Sequence, residues 1–165
     1  MLFGQLCNEV VNAILKEYFQ IARPSVNLGT GYGMPSSHAQ FVWYFATFGI
    51  LYLMNHIKLK ESAWKIITYL IIVFMAVMVC LSRIYLGYHT SGQVMIGSLV
   101  GLVFGWIWYL ATEAARRRGL ISWLLDTSTA RWLLLRDMRD IDNVLEWEYE
   151  NWIQYQQNFS NKKKS

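Results

Sequence analysis

Charged residues are scarce in this chain, and their scarcity helps to distinguish a membrane protein from a soluble one. Only 16% of the 165 residues are Asp, Glu, Lys or Arg, whereas 55% are hydrophobic. Soluble domains carry about 25% charged residues. Long uncharged runs alternate with short charged clusters, a pattern typical of a small integral membrane protein built as one helical bundle.

Cysteine is scarce as well, and basic residues are not clustered. The first shortage argues against a disulfide-linked protein, and the second argues against a nucleic-acid-binding protein. The chain has two cysteines and a net charge of +4. Cys7 and Cys80 lie in apolar surroundings, where cysteine behaves as a small hydrophobe, so a disulfide is not expected. The lysines and arginines form no groove-like basic face, so nucleic acid is not an expected partner. The first residues lack the basic start of a cleavable signal.

Three stretches with little or no charge have the length of membrane helices. They are residues 39–55, 64–81 and 94–112. In the third stretch Gly97, Gly101 and Gly105 repeat every four residues, a spacing that lets another helix approach closely. The sequence therefore predicts an all-α integral membrane helical bundle.

Residues 2–22 are predicted to form a fourth membrane helix, because every fourth residue places a polar side chain in one stripe: Asn8, Asn12, Lys16 and Gln20. A polar stripe in a membrane faces the bundle interior or a wet cavity. The alternative is an amphipathic helix lying in the membrane interface. The chain then divides into a membrane-embedded domain, 1–112, and an aromatic-rich amphipathic tail, 113–165, at the membrane surface.

The residues that carry chemistry fall in the connections between these helices. With alternating helix directions, segments 16–24, 35–38 and 82–89 come to the same side of the membrane. Together they supply three cations, two hydroxyls and two histidines: Lys16, Arg23, Arg83, Ser36, Ser37, His38 and His89. That composition suits a phosphate group.

The segment Met-Pro-Ser-Ser-His, residues 34–38, opens the second predicted helix. Pro35 is expected in the first turn, where its missing N–H costs nothing. The N–H groups of the next three residues would then point out of the helix start and, with the helix dipole, bind an anion. A simple capping turn explains the same segment.

Three motifs in order resemble the signature of the type 2 phosphatidic acid phosphatase superfamily. That signature is Lys, six residues, Arg-Pro; then Pro-Ser-Gly-His; then Ser-Arg, five residues, His, three residues, Asp. The matching segments here are Lys16 with Arg23-Pro24, Pro35-Ser36-Ser37-His38, and Ser82-Arg83 with His89. Ser37 replaces the glycine, and Gln93 replaces the aspartate.

Both replacements are similar to the branch of that superfamily that hydrolyses dolichyl diphosphate. The flanking residues YGMPSSHAQF and SRIYLGYHTSGQV resemble that branch too, as do Arg136-Asp137 and residues 143–149. The family usually has six membrane helices, and this chain offers about four. We therefore expect an N-terminally short version of the family fold.

The resemblance implies a mechanism that needs no cofactor and no metal ion. His89 would attack the terminal phosphorus and form a phosphohistidine, and His38 would protonate the leaving oxygen and later activate water. Five residues would bind the phosphoryl oxygens: Lys16, Arg23, Arg83, Ser36 and Ser37. Gln93 would orient the ring of His89, with less support for a charged imidazole than an aspartate gives.

Basic residues outside the motifs predict the orientation in the membrane. They fall on the opposite side, at Lys58, Lys60, Lys65 and 116–118. The positive-inside rule then puts the tail in the cytosol and the site in the lumen. Lys162 and Lys163 resemble a dilysine retrieval signal of endoplasmic reticulum proteins; a solvated lysine tail is the alternative.

The expected substrate is a polyprenyl diphosphate lipid, whose monophosphate is reused in N-glycosylation. Two alternatives stay open at this point. A broader lipid phosphate phosphatase would act on phosphatidate or lysophosphatidate with the same residues. A non-catalytic membrane scaffold would result if the chain is a shortened form or if Gln93 marks an inactive site.

Overall fold

The computed structural model describes residues 1–24, 31–56, 62–138, 141 and 143–164; the side chains of residues 62, 145 and 161–164 lie outside that description. Within these ranges the chain forms α1 (Leu2–Phe19), α2 (Ser37–His56), α3 (Ser62–Tyr85), α4 (Ser91–Arg117), α5 (Leu120–Leu125), α6 (Ser128–Trp132) and α7 (Val144–Lys164). No strand occurs in the described part of the chain. The all-α prediction is confirmed.

Helices α2 and α4 run parallel and pack backbone against backbone. Three glycines of α4, one turn apart, each lie against a carbonyl at the start of α2 or within it: Gly97 against Ser36, Gly101 against Gln40, and Gly105 against Tyr44. A side chain on any of these glycines would overlap the α2 backbone. The close approach predicted from the glycine spacing is confirmed.

Helix α1 turns part of its polar stripe into the bundle. Asn12 Nδ2 donates to Gln40 Oε1 at 2.7 Å, and Gln40 Nε2 donates to the backbone and side-chain oxygens of Asn8 at 2.8 Å. All three side chains are buried, so the inward stripe is confirmed there. The stripe prediction is wrong for Gln20, which is exposed in a left-handed C-cap because α1 ends at Phe19 rather than near residue 22.

Helix α3 presents an apolar surface to the outside of the described bundle. Among the described residues, Ala63–Tyr85 and Ser91–Arg117 are long and apolar enough to cross a membrane. Large apolar side chains are exposed along α3, including Leu70 and Phe74, and a face of this kind needs lipid rather than water. The protein is therefore an integral membrane helical bundle. Membrane crossing by 2–22 and 39–55 stays a prediction, as does the domain boundary at residue 112.

Helix α2 is central and contacts α1, α3 and α4. At about 1.5 Å per residue it is about 30 Å long, the thickness of a bilayer core. At its far end His56 Nε2 lies 3.0 Å from Glu113 Oε1 of α4. At its beginning it meets the ends of α1 and α3 and the beginning of α4, and there the three motifs come together.

Replacing Gly101 with Ala is expected to force α2 and α4 apart, because the new methyl group would overlap the carbonyl of Gln40. We expect a stability loss of about 1–3 kcal/mol, the usual cost of overpacking, measured as a lower unfolding midpoint in detergent.

Gly49→Ala in α2 is the matched control, because nothing lies within 4 Å of its added methyl group. Its midpoint should stay level or rise slightly through the better helix propensity of Ala. Equal midpoints for the two variants would contradict the close packing at Gly101.

Candidate active site

Gln93 joins three separate segments of the chain. Its Nε2 donates to the Ala22 carbonyl at 2.9 Å, just after α1. Its backbone carbonyl accepts from the Ser36 N–H at 3.1 Å, just before α2. Its Oε1 lies 3.2 Å from both Thr90 N and His89 Nδ1. Since Gln93 is only 3% exposed, water does not compete for these bonds.

Thr90 and Gln93 also form a capping box at the start of α4. Thr90 Oγ1 accepts from Gln93 N, and Gln93 Oε1 accepts from Thr90 N. The pair satisfies two N–H groups that the first turn of a helix leaves without partners. Thr90 is absent from the predicted site, although Thr-x-x-Gln before an apolar helix is a readable signal of this cap.

The imidazole of His89 is held as the Nδ1–H tautomer. Nδ1 lies 2.9 Å from the Gly33 carbonyl oxygen and 3.2 Å from Gln93 Oε1, and both are acceptors. The amide of Gln93 cannot be reversed, because Nε2 would then face the Thr90 N–H and the oxygen would face the Ala22 carbonyl. The proton therefore sits on Nδ1, and Nε2 carries the lone pair.

Gly33 connects this network to the segment before α2. Its N–H donates to the Ile21 carbonyl at 2.7 Å, and its carbonyl accepts from His89. A Cβ at this position would lie 2.9 Å from Gln93 Nε2 and 3.0 Å from Arg23 Cγ. A side chain here would displace the amide or the arginine, so the site requires glycine. The predicted site does not include Gly33.

The buried imidazole of His89 has a lowered pKa. It is 4% exposed, and burial is the main cause of the shift; its hydrogen bonds to Gln93 and Gly33 oppose the shift, and the charges of Arg23 and Lys16 add to it. Near neutral pH the ring is therefore uncharged and its Nε2 can act as a nucleophile.

His38 is the exposed histidine of the site and lies at the second residue of α2. Partial burial of its imidazole lowers its pKa, and the charges of Arg83, Lys16 and Arg23 lower it further. Lys16 and Arg23 thus act on both histidines, whereas Arg83 acts on His38. The structure brings together the three cations and both histidines of the predicted site.

Arg83 lies in the last turn of α3 rather than after the helix. Its guanidinium lies 5.2 Å from the centre of the Tyr88 ring, and its Nε is 3.4 Å from Ser82 Oγ. A cation over an aromatic face is attracted by the ring. These contacts hold Arg83 on the α3 side of the site, next to His38.

The beginning of α2 differs from the prediction. Pro35 lies before the helix rather than in its first turn, and Ser37 is the first helical residue. The N–H of Ser36 is not available to an anion, because it donates to the Gln93 carbonyl of the closely packed α4. Ser36 Oγ is buried and makes no hydrogen bond within the described structure. Ser36 therefore has a hydroxyl, not an N–H, left without a partner in the described structure.

The third histidine of the chain lies apart from the site. His56 is at the far end of α2. Lys58, Lys60 and the side chains of Lys162 and Lys163 fall outside the described residues.

Within the described ranges, no group of three His, Cys, Asp or Glu side chains could hold a metal ion. The arrangement that remains can bind a phosphoryl group and attack it with a neutral imidazole.

Comparison with known proteins matches residues 1–117 to the PAP2 superfamily. Dolichyldiphosphatase 1 of Dictyostelium discoideum is 35% identical over 155 residues, which cover 92% of this chain and 68% of that protein. Dolichyldiphosphatase 1 of Homo sapiens is 34% identical over 158 residues, covering 90% and 66%. Dolichyldiphosphatase of Saccharomyces cerevisiae is 33% identical, covering 82% and 60%. The chain thus spans about two thirds of the length of these relatives.

A solved structure shares the fold. The transmembrane PAP2 type phosphatidylglycerolphosphate phosphatase from Bacillus subtilis aligns with a TM-score of 0.58 and 24% identity. The alignment covers 71% of this chain and 57% of that chain. The described helices are therefore arranged as in a transmembrane PAP2 phosphatase.

Substituting Leu for Arg83 is expected to raise the pKa of His38, because it removes a like charge beside the imidazole, and to leave the pKa of His89 unchanged. NMR titration of isotopically labelled histidines in detergent micelles measures both values in one sample. His56, at the other end of α2, is the internal control. A fall in the pKa of His38 would contradict the placement of Arg83 beside this imidazole. Equal shifts at both site histidines would show that the charge of Arg83 acts on both rings.

Proposed function

The chain belongs to the PAP2 superfamily, and from that membership we propose that it hydrolyses a polyprenyl diphosphate, dolichyl diphosphate, to the monophosphate and phosphate. The superfamily expected from the three motifs is confirmed. The observation that carries the proposal is the pair of acceptors at His89 Nδ1, which leaves the lone pair on Nε2 of a ring that also feels the charges of Arg23 and Lys16. The names of the relatives support the choice of dolichyl diphosphate.

In the first step His89 Nε2 attacks the terminal phosphorus of the diphosphate. The P–N bond forms as the bond from phosphorus to the bridging oxygen breaks, and lipid monophosphate is the leaving group. His38 in its protonated form gives its proton to that bridging oxygen. The negative charge of the bound diphosphate favours this protonated form and so opposes the effect of the three cations on the pKa of His38.

In the second step water attacks the phosphorus of the phosphohistidine. His38, now neutral, takes a proton from the water, the P–N bond breaks, and its electron pair returns to Nε2 of His89. Phosphate leaves, and His38 is again protonated for the next cycle. One exposed and one buried histidine thus divide the work, because the proton-transferring ring must reach water and the nucleophile must stay oriented.

The binding residues supply positive charge that is in place before reaction. Three of them carry this charge, Lys16, Arg23 and Arg83. The hydroxyls of Ser36 and Ser37 would join them in contacting the phosphoryl oxygens. Fixed charges of this kind need no reorganisation when charge moves in the transition state, and they provide most of the catalysis in phosphoryl transfer. Gln93 orients His89 but stabilises its charged form less than a carboxylate would.

The proposed location is the endoplasmic reticulum membrane, with the site in the lumen and the tail in the cytosol. Arg116 and Arg117 end α4 at the side away from the site, and basic residues at a helix end favour the cytosolic face. A lumenal site would return the carrier lipid released during N-glycosylation.

Replacing His89 with Ala is expected to lower kcat on dolichyl diphosphate by at least about a thousandfold, because the nucleophile is lost. Phosphate release from the purified protein measures it. His56→Ala is the matched control, since this histidine lies at the other end of α2, and its rate should stay near that of the unsubstituted protein. Acid-labile phosphate trapped on the unsubstituted protein, and not on His89→Ala, would support the covalent intermediate.

The same assay separates the alternatives. Faster release from phosphatidate than from dolichyl diphosphate in one detergent would favour a general lipid phosphate phosphatase. Equal rates for the unsubstituted protein and His89→Ala, or no release from either, would contradict catalysis by this site and favour a scaffold.

A further inference from the structure

Two apolar grooves open on the sides of the described bundle. One, of about 340 Å³, lies between α2 and α3. The other, of about 490 Å³, lies between α3 and α4. Both are lined almost entirely by hydrophobic side chains, so apolar character alone does not distinguish their roles.

The α2–α3 groove lies directly below His38 and Arg83. Its α2 wall consists of residues three, four and seven positions after His38: Phe41, Val42 and Phe45. Part of its α3 wall lies four, seven and eleven positions before Arg83: Val79, Ala76 and Ile72. Residues at these spacings share a helix face with the residue they are counted from. The groove therefore lies on the helix faces that carry these two side chains, one turn deeper into the bundle.

The α3–α4 groove reaches the Arg83 face of α3 through Cys80, three positions before Arg83, but not the His38 face of α2. Its one α2 residue is Trp43, five positions after His38. Its α4 wall includes Val94, Met95 and Leu99, which flank the α4 face that Gly97 and Gly101 turn towards α2. At the end nearest the site, this groove is therefore lined by the first turns of α4 and not by the residues that follow His38 in α2.

The direction of the proposed reaction distinguishes the two grooves. In an in-line displacement the leaving group departs on the side opposite the nucleophile. Nε2 of His89 attacks, so the lipid monophosphate departs towards His38, which protonates it. The isoprenoid chain is attached to this departing phosphate and must therefore leave the site on the side of His38.

We propose that the α2–α3 groove binds the isoprene units nearest to the diphosphate of the substrate. The inference rests on the proposed function and deepens it by assigning a place to the lipid chain. Phe41 and Phe45 offer aromatic faces, and the α3 wall offers aliphatic side chains, to a branched hydrocarbon. The occupant is the substrate chain because the groove lies below the side chains that would bind the diphosphate and protonate its leaving oxygen.

Met75→Trp tests the assignment, because Met75 lines the α2–α3 groove and the indole would occupy part of it. Met95→Trp is the matched control: the same substitution, in the α3–α4 groove. Met75 is 57% and Met95 70% exposed, so neither indole must be forced into the core. Phe45→Ala is a second variant that removes apolar contact instead of adding bulk.

Each protein is assayed with a long-chain polyprenyl diphosphate and with dimethylallyl diphosphate, whose tail is too short to fill the groove. Met75→Trp and Phe45→Ala should raise KM for the long substrate about fivefold, the effect of losing one or two buried methylene contacts. Neither should change kcat or KM for dimethylallyl diphosphate. Met95→Trp should leave both substrates unaffected.

Unchanged KM for the long substrate in Met75→Trp and Phe45→Ala would overturn the groove assignment while leaving the proposed function intact. A larger effect of Met95→Trp would overturn it in favour of the other groove. Equal losses on both substrates would overturn it as well, because the change would then lie in the headgroup site. If the unsubstituted protein hydrolyses neither diphosphate, the proposed function fails and the groove assignment fails with it.

Discussion

The side-chain amide of Gln93 uses both its N–H donor and its oxygen acceptor in buried hydrogen bonds to different segments of the chain. Its N–H donates to the Ala22 carbonyl, and its oxygen accepts from Thr90 and His89. Because the amide cannot turn round without placing donor against donor, the position of one proton on His89 follows from contacts made elsewhere. The segment after α1, the segment before α2 and the start of α4 are held in one arrangement by this residue. The nucleophilic character of Nε2 depends on that arrangement.

Close helix packing is what lets Gln93 reach its partners. The Ser36 N–H meets the Gln93 carbonyl because Gly97, one turn further along α4, brings the two backbones together. One turn deeper, Gln40 lies against Gly101 and bonds to Asn8 and Asn12 of α1. Interhelical hydrogen bonds and small residues are the main means of helix association in a membrane. The polar network and the glycine stripe therefore align three helices so that the site forms at one end.

Much of this was predictable because periodicity and spacing are local properties of a sequence. The glycine stripe at 97, 101 and 105 and the inward asparagines of α1 follow from four-residue spacing. The gap between Arg83 and His89 indicates the site but not its hydrogen bonds. Contacts of Gln93 with Ala22 and Ser36 join residues far apart in sequence through backbone atoms, which no residue pattern specifies. The predicted position of Pro35, in the first turn of α2, was wrong for the same reason. The Gln93 carbonyl of α4 binds the Ser36 N–H just before the helix, and α2 begins at Ser37.

The tautomer of His89 tests this account most directly. Two-bond nitrogen–proton NMR correlations of labelled histidines in micelles distinguish a protonated Nδ1 from a protonated Nε2, and above pH 6.5 the ring is neutral because its pKa is lowered. We expect a single Nδ1–H form in the intact protein, because the Gly33 carbonyl and Gln93 Oε1 can only accept a hydrogen bond from Nδ1. A protonated Nε2 in the intact protein would contradict the account, because the nitrogen assigned to attack phosphorus would then have no lone pair.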